Sequence, residues 1–408
     1  MQGVKDPHSA AHYSIYAFNP VVPLSALDPG IDPFVGETVW LEAHVQNDLL
    51  NRPLQGSTAL ERTGLADPAG LFVRFAPLVV FLLAFSAVAR DREQGTLSLA
   101  LSAAATGRAI AAIKISAVAS VATVMLAGAL AMIGLAGIVQ GGAAGDAWLR
   151  VALWVCAATG YVVVLSVVGV LAGLLAPTAR TGFGALLLFW LIAVLGALPA
   201  ASAAANRSRP LPSFQEMKIR LERDAPAYWT PEVGAERQAL LMRRYGAADE
   251  AELDAQRVNL RGLELDYAER LSQAVFDREI GAFYRRVLDQ DRLYAALAWL
   301  SPAIAFDAAS AALAGTDFRH HLAFIDGAEQ YRRALVNRMN ADLIPNPARS
   351  GVLHTSDGRL WAEIPEFAFL PPGWHTALQS SAGPLSALAG WLVVGAALAA
   401  WVTPRLRP

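Results

Sequence analysis

A group of alternating charges, Arg90–Glu93, stands at the point where a long apolar stretch of the sequence ends. A Gly-Thr pair follows it and begins a short amphipathic segment, and two further basic residues stand close to the start of the next apolar stretch. Such an element can lie along a membrane face and offer its polar groups to a partner protein. On spacing alone, an ordinary membrane-flanking loop is an equal alternative. The candidate contact residues are Arg90, Asp91, Arg92, Glu93, Gly95, Thr96, Leu97, Leu101, Ser102, Arg108 and Lys114.

Common catalytic motifs are absent from the sequence. It contains no G-x-x-x-x-G-K-[ST] phosphate loop, no H-E-x-x-H metalloprotease motif and no G-x-S-x-G nucleophile turn. We therefore expect a protein that is not an enzyme and that has no cofactor of its own.

Two histidines near the start of the chain have the spacing of metal ligands. His8 and His12 would share one face of a helix, and Asp6 and His44 are available nearby. Pro7 and the surrounding turn residues work against a helix at this place, so capping and surface roles are favoured. The sequence therefore predicts no metal site.

The composition is that of an integral membrane protein. Of the 408 residues, 55% are hydrophobic and only 17% are charged, whereas a soluble globular chain has roughly 25% charged residues. The net charge of -2 does not favour a nucleic-acid partner, and the single cysteine, Cys156, can form no internal disulfide. The lipid bilayer is the expected surroundings of much of the chain.

Five stretches reach the roughly 20 apolar residues that a transmembrane helix requires. They are Gly70–Ala89, Ile110–Val139, Trp148–Ala176, Phe183–Ala203 and Gly383–Val402. A further apolar stretch, Leu293–Gly315, is interrupted by Pro302 and Asp307. Because a central aspartate is costly in lipid, we favour an interfacial helix or a buried helix of the polar part of the chain.

The distribution of basic residues predicts the orientation of the spans. Arginine and lysine concentrate in the connections 90–109 and 177–182 and in the tail after 402, and such segments usually face the cytoplasm. The resulting fold class is an all-α polytopic membrane protein with a mainly helical extracytoplasmic insert. Since no leader precedes residue 70, we also expect one further transmembrane helix upstream of Met1.

The predicted layout has four parts. They are an extracytoplasmic segment at 1–69, transmembrane helices one to four at 70–203 with a cytoplasmic connecting segment at 90–109, an extracytoplasmic helical domain at 204–382, and a last transmembrane helix with a basic tail at 383–408. Within the helical domain, the apolar spacing over Ala248–Leu300 indicates one amphipathic helix or two in series. Gly169 and Gly173 form a G-x-x-x-G pair, for which packing inside one subunit is favoured over a dimer seam.

The cytoplasmic segment 90–109 and the start of the next span resemble the signature of permease subunits of ABC-2 type transporters. That signature has a charged cluster, Gly-Thr-Leu, a Leu-Ser pair and a downstream Arg and Lys. In this family the segment couples the permease to its ATP-binding subunit, so we call 90–109 the coupling segment. Other segments resemble a subgroup with large extracytoplasmic parts, DUF3526. These segments are Asp6–His8, Asp28–Pro33, Val39–His44 and the stretch from Leu300-Ser301-Pro302 through Gly315-Thr316-Asp317. Where the family often has a proline after the Leu-Ser pair, this chain has Ala103–Ala105.

The resemblance implies a permease subunit in a multi-pass cell membrane, with the bacterial inner membrane as the expected location. Its partners would be an ABC ATP-binding subunit, which binds and hydrolyses ATP, and a second permease copy or homologue. The resemblance implies transport in the outward direction, and the apolar spans favour a hydrophobic or amphipathic substrate. Two alternatives remain open: a membrane-anchored scaffold that binds a partner without transport, and an ATP-driven mechanotransmitter that acts through its extracytoplasmic domain.

Overall fold

The computed structural model describes residues 5–13, 15–50, 67–102, 106–141, 145–225, 230–347 and 354–405. Within these residues, five helices are long and apolar enough to cross a membrane, and the strands are confined to the N-terminal segment. The chain is therefore an all-α polytopic membrane protein with one small sheet, and the predicted fold class is confirmed.

The N-terminal segment contains two short helices and an antiparallel sheet. In chain order the elements are α1 (Pro7–Ala11), β1 (Ile15–Phe18), α2 (Asp32–Val35), β2 (Thr38–Leu41) and β3 (Gln46–Leu50). The central strand is β2, in which Trp40 lies opposite Tyr16 of β1. The turn between β2 and β3 contains His44, and the register shifts between Val39 and Leu41.

The first four spans follow. The elements are α3 (Pro68–Glu93), α4 (Thr96–Ser102), α5 (Gly107–Ala122), α6 (Gly128–Gly141), α7 (Ala147–Leu175), α8 (Ala179–Trp190) and α9 (Ala197–Ser208). The pair α5 and α6 is one span with a π-helical turn at Thr123–Ala127, and α8 and α9 are one span with such a turn at Leu191–Gly196. The seven-residue helix α4 is not part of any of these four spans, and it connects the first two.

A polar domain and the last span complete the chain. They comprise α10 (Phe214–Asp224), α11 (Pro231–Tyr245), α12 (Glu250–Ala255), α13 (Leu260–Ala296), α14 (Pro302–Ala314), α15 (Phe318–Leu343), α16 (Gly358–Ala362) and α17 (Trp374–Val402). The last span is α17, and the helices from α10 to α16 belong to the polar domain, apart from the part of this stretch that enters the bundle and is described below. All five predicted spans are helices. The predicted amphipathic stretch Ala248–Leu300 contains two successive helices, α12 and α13, as one of the two expectations had it.

The N-terminal segment packs against the polar domain and forms one body with it. Ala17 and Leu41 of the sheet lie in an apolar cluster with Phe324 of α15. Ala11 of α1 lies in a second cluster with Val336, also of α15. Residues far apart in the sequence therefore share these small cores, although each part was predicted as a separate segment.

Close packing between α3 and α7 explains the G-x-x-x-G pair. A Cβ atom at Gly169 would lie 2.7 Å from the Cβ of Ala84, and one at Gly173 would lie 3.1 Å from the Cβ of Val88. Both neighbours belong to α3 of the same chain. The pair thus serves packing inside one subunit, as the sequence analysis favoured.

The substitution Gly169→Ala is expected to lower the free energy of unfolding by about 1–3 kcal/mol, because α3 and α7 must separate to admit the methyl group. The matched control is Gly184→Ala in α8, where an added Cβ meets nothing within 4 Å. Thermal unfolding in detergent measures both variants. Equal midpoints for the two would contradict the close contact between α3 and α7.

The ambiguous stretch Leu293–Gly315 does not cross the bundle, but it lies inside it. The chain leaves α13, turns at Leu297–Leu300 and returns as the 13-residue helix α14. Ser301 donates a hydrogen bond to the carbonyl of Ala193, near the middle of the fourth span, and Trp299 lies against Gly390 near the middle of α17. We call the end of α13, this turn and α14 the re-entrant hairpin.

The other end of α14 lies beside the beginning of α7. Arg150 donates to the carbonyl of Leu313 at 3.4 Å, and Trp154 donates to the Ser310 hydroxyl at 2.7 Å. The hairpin therefore enters the bundle from the side of the polar domain and turns near mid-depth. The expectation of an interfacial helix, or of one buried only in the polar domain, is corrected by these contacts. The hairpin lies inside the bundle because the apolar surface of α14 packs against α3, α7 and α17.

Candidate functional site at the basic end of the helix bundle

The candidate site lies where α3 ends and α4 begins, at the end of the bundle opposite the polar domain. The last turn of α3 contains Arg90 and Arg92, and Gln94 closes the helix. Gly95 follows with a φ of 73°, in the left-handed region that favours glycine. The chain thus changes direction at Gly95, and α4 follows as a separate seven-residue helix.

The helix α4 lies at the surface and offers an apolar side chain. Leu99 is 69% exposed, whereas Leu97 is half-buried and packs against the apolar core of the bundle. Leu101 is half-buried, and Ser102 is exposed and donates a hydrogen bond back to the carbonyl of Ser98 at 2.8 Å. The atypical segment Ala103–Ala105 lies outside the described residues.

Arg92 makes contacts within the chain rather than facing a partner. Its guanidinium donates to the carbonyl of Leu174 at 2.9 Å and to the carbonyl of Ala176. These are among the carbonyls at the end of a helix that have no partner inside that helix. Arg92 therefore caps α7 and fixes the end of α3 beside it.

Asp91 and Lys114 form a second internal contact. The Lys114 ammonium lies against the Asp91 carboxylate and donates to the carbonyl of Ala87 at 2.9 Å. Thr96 donates its hydroxyl hydrogen to the carbonyl of Asp91 at 3.0 Å. These bonds join α3 to α5 and hold the first residue of α4 against the end of α3.

Arg108 connects the segment to the last span. Its guanidinium donates to the carbonyl of Ala400 at 3.3 and 3.4 Å. Together with the contacts of Arg92 and Lys114, this bond brings the ends of α3, α5, α7 and α17 to one place. A force applied to α4 would therefore act on four helices at once.

Arg90 and Glu93 remain available to a partner. Both side chains are exposed, as are Gly95 and Thr96. Neither of these two side chains makes a hydrogen bond or ion pair with any residue that the structure describes. The predicted contact residues thus divide into an internal group, which fixes the geometry, and an exposed group around Arg90, Glu93 and Leu99.

The substitution Arg92→Ala is expected to lower the free energy of unfolding by about 1.5–3 kcal/mol, since charged hydrogen bonds to two carbonyls are lost. Thermal unfolding in detergent tests this value. The control is Arg180→Ala, which removes an exposed arginine from the first turn of α8. If both variants unfold at the wild-type temperature, the capping role of Arg92 is wrong.

Sequence reasoning did not find the polar contact inside the re-entrant hairpin. The Tyr294 hydroxyl donates to the Asp307 carboxylate at 2.7 Å, joining α13 to α14. The only signal in the sequence was the interruption of an apolar stretch by Pro302 and Asp307. Pro302 begins α14 after the Ser301 cap, so the proline that argued against a long helix is the start of a short one.

Comparison with known proteins identifies one region of the chain. Residues 216–370 match the family model described as "Domain of unknown function (DUF3526)". The matched region runs from α10 to just before α17, and it therefore contains most of the polar domain and the re-entrant hairpin. The description of this family assigns no activity.

Two further comparisons give no match. No curated protein and no solved structure is similar to this chain. The family match thus supports the resemblance to DUF3526 over residues 216–370. The resemblance to ABC-2 permeases depends instead on the residues of the coupling segment.

Proposed function

We propose that this protein is the permease subunit of an ABC-2 type ATP-driven transporter. The proposal is carried by one observation: an exposed short helix, α4, with Leu99 at its surface, stands where four helices of the bundle meet, beside the exposed Arg90 and Glu93 at the end of α3. In this proposal the end of the bundle at which α3 ends and α4 begins faces the cytoplasm, and α4 docks on an ATP-binding subunit. A second permease copy or homologue completes the complex.

The arrangement is suited to the transmission of force. Closure of an ATPase dimer would displace α4, and the bonds of Arg92, Lys114 and Arg108 would pass the displacement to α7, α3 and α17. A loop that served only as a connection would not need such bonds to three neighbouring helices. ATP would be bound and hydrolysed by the partner, since this chain has no phosphate loop.

The proposed transport is export of a hydrophobic or amphipathic substrate across the bacterial inner membrane. The apolar character of the spans supports this substrate class. Its exit would lie on the side of the polar domain, which in this proposal is extracytoplasmic.

The continuity of α13 favours a second candidate function, that of an ATP-driven mechanotransmitter. This 37-residue helix is roughly 55 Å long at 1.5 Å per residue, and it runs from the polar domain into the bundle. At its end the re-entrant hairpin contacts the middle of two spans. Movement of those spans would therefore move α13, and the complex could act on an envelope protein through the polar domain.

Affinity purification from native membranes in mild detergent tests the proposal. The expected result is co-purification of an ATP-binding polypeptide together with ATP hydrolysis that depends on it. Recovery of an envelope protein bound to the polar domain, without any ATP-binding polypeptide, would instead favour a membrane-anchored scaffold. A transport assay in vesicles that contain the whole complex separates an exporter from a mechanotransmitter.

A further inference from the structure

Three histidines of the N-terminal segment converge in the polar domain. His8 lies in α1, His12 directly follows this helix, and His44 lies in the turn between β2 and β3. The Nε2 atom of His8 is 3.3 Å from the Nε2 of His12 and 3.3 Å from the Nε2 of His44. The three pairs of ring centroids are 4.9 to 5.0 Å apart, so each ring is adjacent to both others.

These separations agree with the geometry of a tetrahedral metal site. Zinc binds imidazole nitrogens at roughly 2.0–2.1 Å, so two nitrogens of one tetrahedron are about 3.3–3.4 Å apart. Both Nε2 separations from His8 have this value. One ligand atom from each of the three residues can be chosen so that all three lie within 4.8 Å of one another.

Two of the other ring nitrogens, those of His8 and His44, lie beside oxygen atoms of the polar domain. The Nδ1 of His8 is 3.1 Å from the amide oxygen Oδ1 of Asn340 in α15. The Nδ1 of His44 lies against the carboxylate oxygen Oε1 of Glu269 in α13. When the Nδ1 of His8 donates its hydrogen to Asn340, the lone pair of His8 is on Nε2, which is the state of a metal ligand. Metal-binding histidines commonly have this outer contact.

Glu269 provides a second and independent observation. Its side chain has no exposed surface, and its Oε2 atom has no hydrogen-bond partner among the described residues. A buried carboxylate is costly unless a positive charge lies nearby. A cation bound to the histidines would supply that charge, because the ring of His44 would lie between the cation and the carboxylate of Glu269.

The backbone of His44 is also unusual. Its φ is 68°, in the left-handed region that favours glycine or asparagine, and its N–H donates to the Oε1 of Glu269 at 3.1 Å. Residues in such conformations concentrate at functional sites. Glu269 therefore contacts both the backbone and the ring of His44, and it directs the ring towards His8.

We propose that His8, His12 and His44 bind one divalent transition-metal ion, with zinc as the reference ion, through their Nε2 atoms. His12 is the exposed member of the set, so the fourth position of a bound ion would open to the solvent beside it. Three protein ligands and one open position are typical of sites that bind a water molecule or an exchangeable ligand. The bound ion would fasten the N-terminal segment to α13 and α15 through Glu269 and Asn340.

The structure thus favours a metal site where the sequence predicted none. Pro7 was the reason against a helix, but it stands at the first position of α1, where proline is well tolerated. Asp6 caps the same helix, accepting a hydrogen bond from the N–H of Ser9 at 2.7 Å. The helix therefore forms, and His44 joins it from another part of the segment.

Metal titration of the purified full-length chain tests the proposal. The protein is prepared in detergent with a tag that contains no histidine, stripped with a chelator and titrated with zinc by calorimetry. Cobalt absorption then reports the coordination geometry. The expected result is one zinc ion per chain and an intense tetrahedral cobalt spectrum. An octahedral cobalt spectrum or no zinc binding would overturn the proposal.

Three variants identify the ligands. His12→Gln changes an exposed side chain and His44→Asn suits the left-handed backbone, and each is expected to weaken zinc binding at least tenfold. Glu269→Gln is expected to weaken it roughly 10- to 100-fold, as loss of an outer contact does. Thermal unfolding without metal confirms that each variant is folded. Failure of Glu269→Gln to fold leaves the test to the other two.

The matched control is His375→Gln, which changes an exposed histidine at the start of α17. Zinc binding equal to wild type in this control and reduced in His12→Gln supports the site. Equal affinities for wild type and His12→Gln would overturn it. The proposal is independent of the transport function, because the titration requires no partner subunit.

Discussion

The double variant Arg90→Glu/Leu99→Asp is expected to release the ATP-binding subunit from the purified complex. Both residues are exposed, so their substitution leaves the internal contacts of Arg92, Asp91 and Lys114 in place. The variant reverses one charge and puts another on the apolar surface of α4. Loss of one apolar and one charged contact at an interface centre costs enough to reduce association roughly tenfold or more. Quantified co-purification and ATP hydrolysis measure the loss.

The matched control is Leu175→Asp/Arg180→Glu. It makes the same two changes at exposed positions near the same end of the bundle but outside the coupling segment. We expect this control to retain the partner and the ATPase activity. Release of the partner from both variants, with both still folded, would show that the contact is not specific to α4.

The substitution Glu329→Gln is expected to destabilise the polar domain by about 3–5 kcal/mol. Arg332 is 2% exposed, and it donates to both carboxylate oxygens of Glu329, at 2.7 and 2.8 Å. Arg333 donates to the same carboxylate at 2.6 Å. Replacing the carboxylate by an amide would leave the buried guanidinium of Arg332 without its counter-charge. Thermal unfolding followed by circular dichroism measures the change.

The control is Glu363→Gln, which alters the partner of Arg338, another arginine of α15. Both of these side chains are partly exposed, and exposed ion pairs contribute about 0–1 kcal/mol. A loss of stability in Glu329→Gln no larger than in Glu363→Gln would contradict the importance of the buried pair. Because Arg332 also donates to the carbonyl of Glu42, the same variant is expected to loosen the N-terminal segment.

The spans could be predicted from the sequence because length and apolar composition are sufficient to define a membrane helix. The re-entrant hairpin could not, since its apolar stretch is too interrupted for a span and too long for a loop. What decides its position is the contact of Ser301 with Ala193 and of Trp299 with Gly390, which joins residues distant in sequence. The sequence analysis also did not predict the sheet, because its strands have only four or five residues each.

The candidate site was predicted as one undivided group of charges. The structure separates Arg90 and Glu93, which are exposed, from Arg92, which caps α7. Sequence spacing could not make this distinction, because the carbonyls that bind Arg92 belong to residues more than eighty positions away. The same limit applies to His44, whose approach to His8 depends on the turn after β2.

Site-specific photo-cross-linking at Leu99 tests the central proposal most directly. A photoreactive amino acid replaces Leu99, and another replaces Val124, an exposed apolar residue in the middle of the second span. Irradiation of native membranes is predicted to join an ATP-binding polypeptide to the chain at Leu99, and lipid alone at Val124. Lipid alone at both positions would contradict a docking role for α4, and with it the permease function.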